Sequence, residues 1–355
     1  MASLFGVALG GGAAAAVLGT AQERGAVAAS GALDEFAGLV ELPSGREVYL
    51  ECRGDGSPTV ILESGGGLAA SQWSVLAPGS TLMAVFPAVS QFTRVCAYDR
   101  PGTVQVPDGT VSRSDPVPLP RTFADMVIEL RELLEAANVP GPYVLAAHSM
   151  GGAVARLFAG QYPDDVVGFV SLDAANATIY ESFVELVGPG CCDLPGVEFR
   201  IQQAIVELRA ARPLPRIPMV VLEHSRDRQQ FPNPIGWPAD WPIPELLDIW
   251  DRAQEEIAAL VPGAVFDVAE HSEHNIMIDQ PVLVTDSIRA VVDAVRHGED
   301  RISTGGLATT GPVLWPLAAS AGLLVASGLA FVVLSSASAR GRAAPCSCPR
   351  CAPIE

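Results

Sequence analysis

Six residues, Ala147-His148-Ser149-Met150-Gly151-Gly152, carry the strongest chemical signal in this chain. The run Tyr143 to Ala147 reads as a strand, and Gly152 to Tyr162 reads as a helix. A serine on the sharp turn between a strand and a helix presents its Oγ at the helix N-terminus, and the strain of that turn demands small neighbours. Ala147 and Gly151 fill the two small positions. A serine hydroxyl is a poor nucleophile until a base takes its proton. Of the five histidines, His274 in S-E-H-N-I-M-I-D-Q-P follows the last expected strand and is the candidate base. His271 is its competitor, His148 adjoins the nucleophile but points elsewhere, and His297 lies beyond the closing helix. The base in turn needs a carboxylate to fix its tautomer and stabilise the imidazolium. Asp227, in E-H-S-R-D after a strand, gives the chain order Ser, Asp, His. Glu223 and Asp173 are the alternatives, and Asp173 reads more readily as a buried structural acid. An oxyanion hole needs two convergent N–H donors. Met150 supplies one, and the run Ser64-Gly65-Gly66-Gly67 the other, with Gly65 the first choice and Gly66 the second. That glycine run is no phosphate loop, because no G-K-[ST] follows it.

The elements that must position these groups alternate along the chain. Strands are expected at Arg46 to Glu51, Thr59 to Leu62, Arg94 to Tyr98, Tyr143 to Ala147, Val166 to Leu172, Met219 to Leu222 and Ala264 to Val268. Helical spacing marks Phe123 to Ala137, with Met126, Leu130, Leu133 and Leu134 on one face, and a further helix runs from Val282 to Arg296. Strands interleaved with helices imply an α/β fold with a mostly parallel sheet covered on both faces. Residues 176–216 and 229–260, rich in proline, interrupt the alternation and are candidate lid segments over the ligand-binding edge. Trp237 and Trp241 either line an apolar pocket there or pack the excursion. No internal repeat is visible.

The chain has 40 acidic against 22 basic residues, a formal charge of −18, which excludes nucleic acid as the main partner. Every basic residue is arginine; with the alanine and glycine content this suggests the coding bias of a GC-rich bacterial genome. Hydrophobic residues at 49% and charged ones at 17% exclude global disorder. Seven scattered cysteines do not form a disulfide framework. Cys52 and Cys96 fall in strands and read as buried thiols, Cys191 and Cys192 receive no role, and C-S-C-P-R-C near the end reads as tail thiols before a zinc site.

Both ends are apolar. Pro316 to Leu334 carries no charge; at 1.5 Å per residue it spans about 28 Å, close to the roughly 30 Å of a hydrocarbon core. Trp315 stands where an interfacial aromatic belongs, and Arg340, Arg342 and Arg350 follow, which favours a cytoplasmic tail and an exported domain. Ser3 to Ala21 reads as a signal peptide or a first membrane helix, although no basic residue precedes it. The expected organisation is therefore an N-terminal apolar segment and linker over 1–38, a domain over 39–298, a linker over 299–315, a transmembrane helix over 316–334 and a tail over 335–355.

The middle of the chain resembles the α/β-hydrolase superfamily in its serine esterase/lipase-like branch. The resemblance covers about Leu39 to His297. It rests on V-I-L-E-S-G-G-G, Y-D-R-P-G, P-Y-V-L-A-A-H-S-M-G-G, the R-D ending at Asp227, and E-H-N-I-M-I-D-Q-P. It implies an eight-stranded, mostly parallel sheet with a lid, nucleophile Ser149, acid Asp227, base His274, and oxyanion donors Met150 and Gly65. It implies an enzyme needing no cofactor or metal and acting on a small-molecule or lipid-like ester. Amide and C–C bond hydrolysis, or a non-catalytic membrane-tethered binding role, are the alternatives. Three departures stand out: Glu63-Ser64 replaces the usual His-Gly, Glu273 replaces the Gly before the base, and the loop after D-R-P-G lacks Gly-x-Ser.

Overall fold

The computed structural model describes residues 35–188 and 198–302. Eight strands form one sheet: β1 (Phe36–Glu41), β2 (Glu47–Arg53), β3 (Thr59–Glu63), β4 (Val95–Tyr98), β5 (Tyr143–His148), β6 (Val166–Leu172), β7 (Met219–His224) and β8 (Val265–Ala269). Their order is β1-β2-β4-β3-β5-β6-β7-β8. The pairs β1–β2 and β2–β4 are antiparallel, and every pair from β4–β3 onward is parallel. The helices are α1 (Val85–Val89), α2 (Phe123–Ala136), α3 (Met150–Gln161), α4 (Ala177–Ser182), α5 (Ile201–Arg209), α6 (Ile243–Ala258), α7 (Ile276–Asp279) and α8 (Pro281–Arg296). A 3₁₀ turn occupies Ala70–Ser74.

The two-residue period of the strands divides the core in two. Ile61, Leu145, Ala147, Phe169, Met219 and Val221 face one side and pack with α2, α3, α5 and α6. Their neighbours Val60, Leu62, Val144, Ala146, Val170, Val220 and Leu222 face the other side, against α1, α7, α8 and the 3₁₀ turn. Every residue of β3, β5 and β7 is buried, as parallel strands covered on both faces require. At the start of α2, Thr122 and Asp125 exchange side-chain-to-backbone bonds in a capping box, which fixes where the helix begins.

Three expectations change. Phe36–Glu41 is an edge strand rather than the end of a linker; with only Val40 buried, it carries almost no periodic signal. The helix after the nucleophile begins at Met150, two residues earlier than expected. Cys52 and Cys96 are not free thiols. They face each other across β2 and β4, with Cα atoms 4.1 Å apart, and form a disulfide. The expected terminal membrane segments and the remaining cysteines lie outside the described residues. Among the described residues, no helix is long and apolar enough to cross a membrane.

Both bridged cysteines are almost fully buried. Because the disulfide leaves neither as a free thiol, alkylation of the unreduced, unfolded protein should leave Cys52 and Cys96 unmodified, and replacing both with Ala should cost about 2–4 kcal/mol of stability. Peptide mapping and denaturant unfolding check the two outcomes.

Candidate active site

The carboxyl ends of six parallel strands, β3 to β8, converge on one site. Ser149 follows β5 and precedes α3 directly, with φ 54° and ψ −125°. This left-handed geometry is costly for a residue with a side chain and persists only where the surroundings enforce it. They do so here. The Ser149 N–H donates to Leu172 O at 3.1 Å, and its carbonyl accepts from Gly152 and Ala175, both at 3.0 Å. A Cβ on Gly151 would lie 2.3 Å from the Ser64 carbonyl oxygen, and one on Gly152 2.2 Å from the Ala174 Cβ. The small residues of the sequence motif are thus demanded by the glycine loop on one side and by the β6 loop on the other.

His274 follows β8 and is buried, its own N–H held by the Pro234 carbonyl at 3.1 Å. Its Nε2 lies 2.9 Å from Ser149 Oγ, and its Nδ1 lies 2.6 Å from Asp173 Oδ2. The carboxylate that meets the base is therefore Asp173, one residue beyond β6, and not Asp227. Asp227 is exposed and turned back on its own loop, where it accepts from the N–H groups of Gln229 and Gln230 at 3.0 and 3.1 Å. Glu223, the other alternative, is tied to Arg226 at 2.7 Å. Asp173 is wholly buried and has φ 46°, which turns its side chain across the sheet edge. Burial pushes its carboxyl up, but His224 and His274 outweigh this and hold it far below the usual carboxylate range. The carboxylate also accepts from Trp250 Nε1 at 2.8 Å. His271 donates its backbone N–H to Gln280 and does not enter the site.

The glycine loop is built on buried charge. Arg100, from the Y-D-R-P-G motif, is wholly buried. It donates to the carbonyls of Ser64 at 2.8 Å and Gly65 at 2.6 Å, to Glu198 at 2.5 Å, and to Glu63. Tyr98 donates to the other oxygen of Glu63 at 2.6 Å, and Glu198 accepts from Gly67 N–H at 3.0 Å. Glu63, which stands where the family has His, is thus a structural anion; burial pushes its carboxyl up, and Arg100 opposes this.

A second chain of hydrogen bonds ties this loop to the base. Gly65 N–H donates to Gln72 Oε1 at 3.0 Å. The Gln72 amide nitrogen lies 3.0 Å from His148 Nδ1 and 3.2 Å from Asn275 Oδ1, and His148 Nε2 lies 2.9 Å from the His274 carbonyl. Burial, reinforced by neighbouring His274, pushes the His148 imidazole well below its usual range, so it is neutral. It donates through Nε2 and accepts at Nδ1. Because Gln72 occupies the N–H of Gly65, the first-choice oxyanion donor is already engaged. Among the described residues no acceptor meets the N–H of Gly66, and a Cβ there would lie 3.5 Å from Met150 Cβ.

Aromatic rings run outward from the base. Trp250 lies 5.5 Å from His274 edge-on, Trp237 5.6 Å from Trp250, and Phe183 5.6 Å from Trp237 and 5.7 Å from Trp241. All come from the two proline-rich excursions. Among the described residues no group of three or more His, Cys, Asp or Glu is arranged to hold a metal ion.

Sequence reasoning placed Ser149, His274 and Met150 at this centre, and ranked Asp173 and Gly66 below residues that the structure puts elsewhere or occupies. It missed His224, Trp250, Gln72, Arg100 and Glu198. A signal for Asp173 was present: it directly ends the strand beside the nucleophile strand, V-S-L-D.

A family model described as "Alpha/beta hydrolase family" matches residues 60–287. The uncharacterized protein YqjL of Bacillus subtilis is 24% identical over 238 residues, 65% of this chain and 82% of that protein. An uncharacterized protein of Schizosaccharomyces pombe is 38% identical over 92 residues, 26% of this chain but only 16% of its own length. Among solved structures, a thermophilic esterase from Thermogutta terrifontis aligns with a TM-score of 0.45 at 20% identity, covering 74% of this chain and 98% of that one.

The geometry at Asp173 makes a sharp expectation for the third member. Asp173→Asn should lower hydrolytic turnover by about 10⁴-fold, as an amide there favours the wrong imidazole tautomer. Asp227→Asn and Glu223→Gln should stay within a few-fold of the parent when all three are assayed side by side.

Proposed function

Because the chain belongs to the alpha/beta hydrolase family, and is a hydrolase, we propose that it cleaves a carboxylic ester through an acyl-enzyme on Ser149. The observation that carries this reading is the unbroken line Ser149 Oγ, His274 Nε2 and Nδ1, Asp173 Oδ2, with steps of 2.9 and 2.6 Å. Ser149 Oγ attacks the ester carbonyl while its proton passes to His274 Nε2. The tetrahedral oxyanion receives the N–H groups of Met150 and Gly66, donors fixed before the charge develops. Collapse breaks the C–O bond, and the departing alcohol takes the proton from His274. A water, deprotonated by the same nitrogen, then releases the carboxylic acid and restores Ser149.

The substrate is a small-molecule or lipid-like ester; Phe183, Trp237 and Trp250 are buried against one another beside His274 and make that flank of the site apolar. Residues 176–216 and 229–260, which supply these rings, act as the lid. Ser149→Ala should fold normally, lose labelling by a fluorophosphonate probe, and lose several orders of magnitude in hydrolysis of p-nitrophenyl esters. Parental turnover in this variant would overturn the mechanism. A parent enzyme that accepts the probe but no ester in a graded chain-length series would move the reading to amide or C–C bonds. A parent that takes neither would leave a binding protein.

The domain works outside the cytoplasm, tethered by Pro316 to Leu334. The disulfide between Cys52 and Cys96 supports an oxidising compartment. Removing residues 305–355 should release an active, detergent-free domain. Aggregation of the truncated chain, with a full-length chain that needs no detergent, would contradict the tether.

A further inference from the structure

His224 ends β7, has no exposed surface, and plays no part in the proton path just described. Yet its Nδ1 lies 2.9 and 2.8 Å from both oxygens of Asp173, and its backbone N–H reaches Oδ1 at 3.4 Å. An ionised carboxylate only accepts, so Nδ1 carries the proton. On the far side of the ring, Nε2 lies 3.3 Å from Arg228 Nη1, which only donates. The tautomer is therefore fixed as neutral Nδ1–H with a lone pair on Nε2. Arg228 is itself held by the Ser225 carbonyl at 2.8 Å and by Asp251 from α6. We propose that His224 is a positioning residue, an imidazole clamp that holds the Asp173 carboxylate square to His274.

The distribution of donors supports a clamp. Oδ1 takes Trp250 and His224, while Oδ2 takes His274 and His224. Without His224 each oxygen would keep a single donor, Trp250 on Oδ1 and His274 on Oδ2; His224 is the one group that bridges both oxygens and so opposes rotation about the Cβ–Cγ bond. A misplacement of about 1 Å in such a site can cost on the order of 10²-fold in rate. The charged and titratable groups facing His224 are Asp173 from the β6 loop, Arg228 from the β7 loop, and Glu273 from the β8 loop. Asp251 lies behind Arg228, and His274 lies across Asp173. Nε2 faces the Arg228 donor, so the clamp acts on Asp173 through Nδ1–H alone.

This inference rests on the triad reading above, and its test separates the two. In the full chain, His224→Leu and His224→Asn are compared with the parent by two readouts. One is the rate of Ser149 labelling by a fluorophosphonate, and the other is the pH profile of kcat and kcat/KM on p-nitrophenyl butyrate. The Asn side chain places an amide N–H near the position of Nδ1–H and restores a neutral donor. His224→Leu should lower labelling and kcat by about 10- to 100-fold with little change in KM. Its acid limb should move to higher pH, because a carboxylate with one donor fewer stabilises the His274 imidazolium more strongly. His224→Asn should recover most of the rate and return the limb towards the parental position. A folded Leu variant within twofold of the parent with an unmoved limb overturns the proposal, as does a folded Asn variant no better than Leu. Should Leu not fold, Asn decides alone: near-parental labelling and limb support the clamp, and a loss near 10²-fold in folded protein overturns it. If Ser149→Ala and Asp173→Asn are inactive while His224→Leu is not, this inference alone fails. If Ser149→Ala stays active, the triad reading fails first.

Discussion

A wholly buried carboxylate needs hydrogen-bond donors, and the arrangement of this site follows from satisfying Asp173. Removing one charge from water costs several kcal/mol unless donors replace the solvent. Here the donors come from three directions: His274 after β8, His224 at the end of β7, and Trp250 on α6. Each satisfies the carboxylate and is in turn fixed by it. The His274 ring is oriented towards Ser149, and α6, the end of β7 and the loop after β8 are tied to the β6 loop at one carboxylate. The requirement that Asp173 be satisfied is thus a single constraint that both builds the site and closes it.

The opposite half of the site uses a buried cation in the same way. Arg100 gathers Glu63, Glu198 and the carbonyls of the glycine loop, so that loop is shaped by its carbonyls while the N–H of Gly66, alone of the three glycines, meets no acceptor among the described residues. Gln72 and His148 then join the two halves, one amide and one neutral imidazole passing hydrogen bonds from Gly65 to the backbone of His274. Ser149, His274 and the glycine loop are thereby linked to one another. Such pre-organisation is what electrostatic stabilisation of a transition state requires, since the donors need not reorganise as charge develops.

Much of the fold was legible because burial on two faces writes itself into sequence as continuous apolar runs, and β3 to β7 all show it. The edge strand β1 was not, since one buried residue in six leaves no period to read. The meeting of Ser149 and His274 was legible because local geometry demands small residues around one and a strand end before the other. The acid was not. Chain order and distance from a strand favour Asp227, but what decides is which carboxylate the sheet twist aims at His274, and a positive φ at Asp173 does the aiming. The disulfide was hidden for a related reason: it depends on the register Cys52 opposite Cys96, which no single strand encodes. Gly65 looked like a free donor only because Gln72, seven residues on, could not be seen to turn back onto it.

In the proposed mechanism Ser149, activated through His274 and Asp173, carries the acyl group during turnover. The direct measurement is to mix the enzyme with a p-nitrophenyl ester, quench in acid within the burst, and map the adduct by peptide mass spectrometry. One acyl group is expected, on the peptide containing Ser149, and none when Asp173 is replaced by Asn. Turnover with the acyl group on another residue, or an adduct at Ser149 that forms as fast in the Asp173→Asn protein, would contradict it.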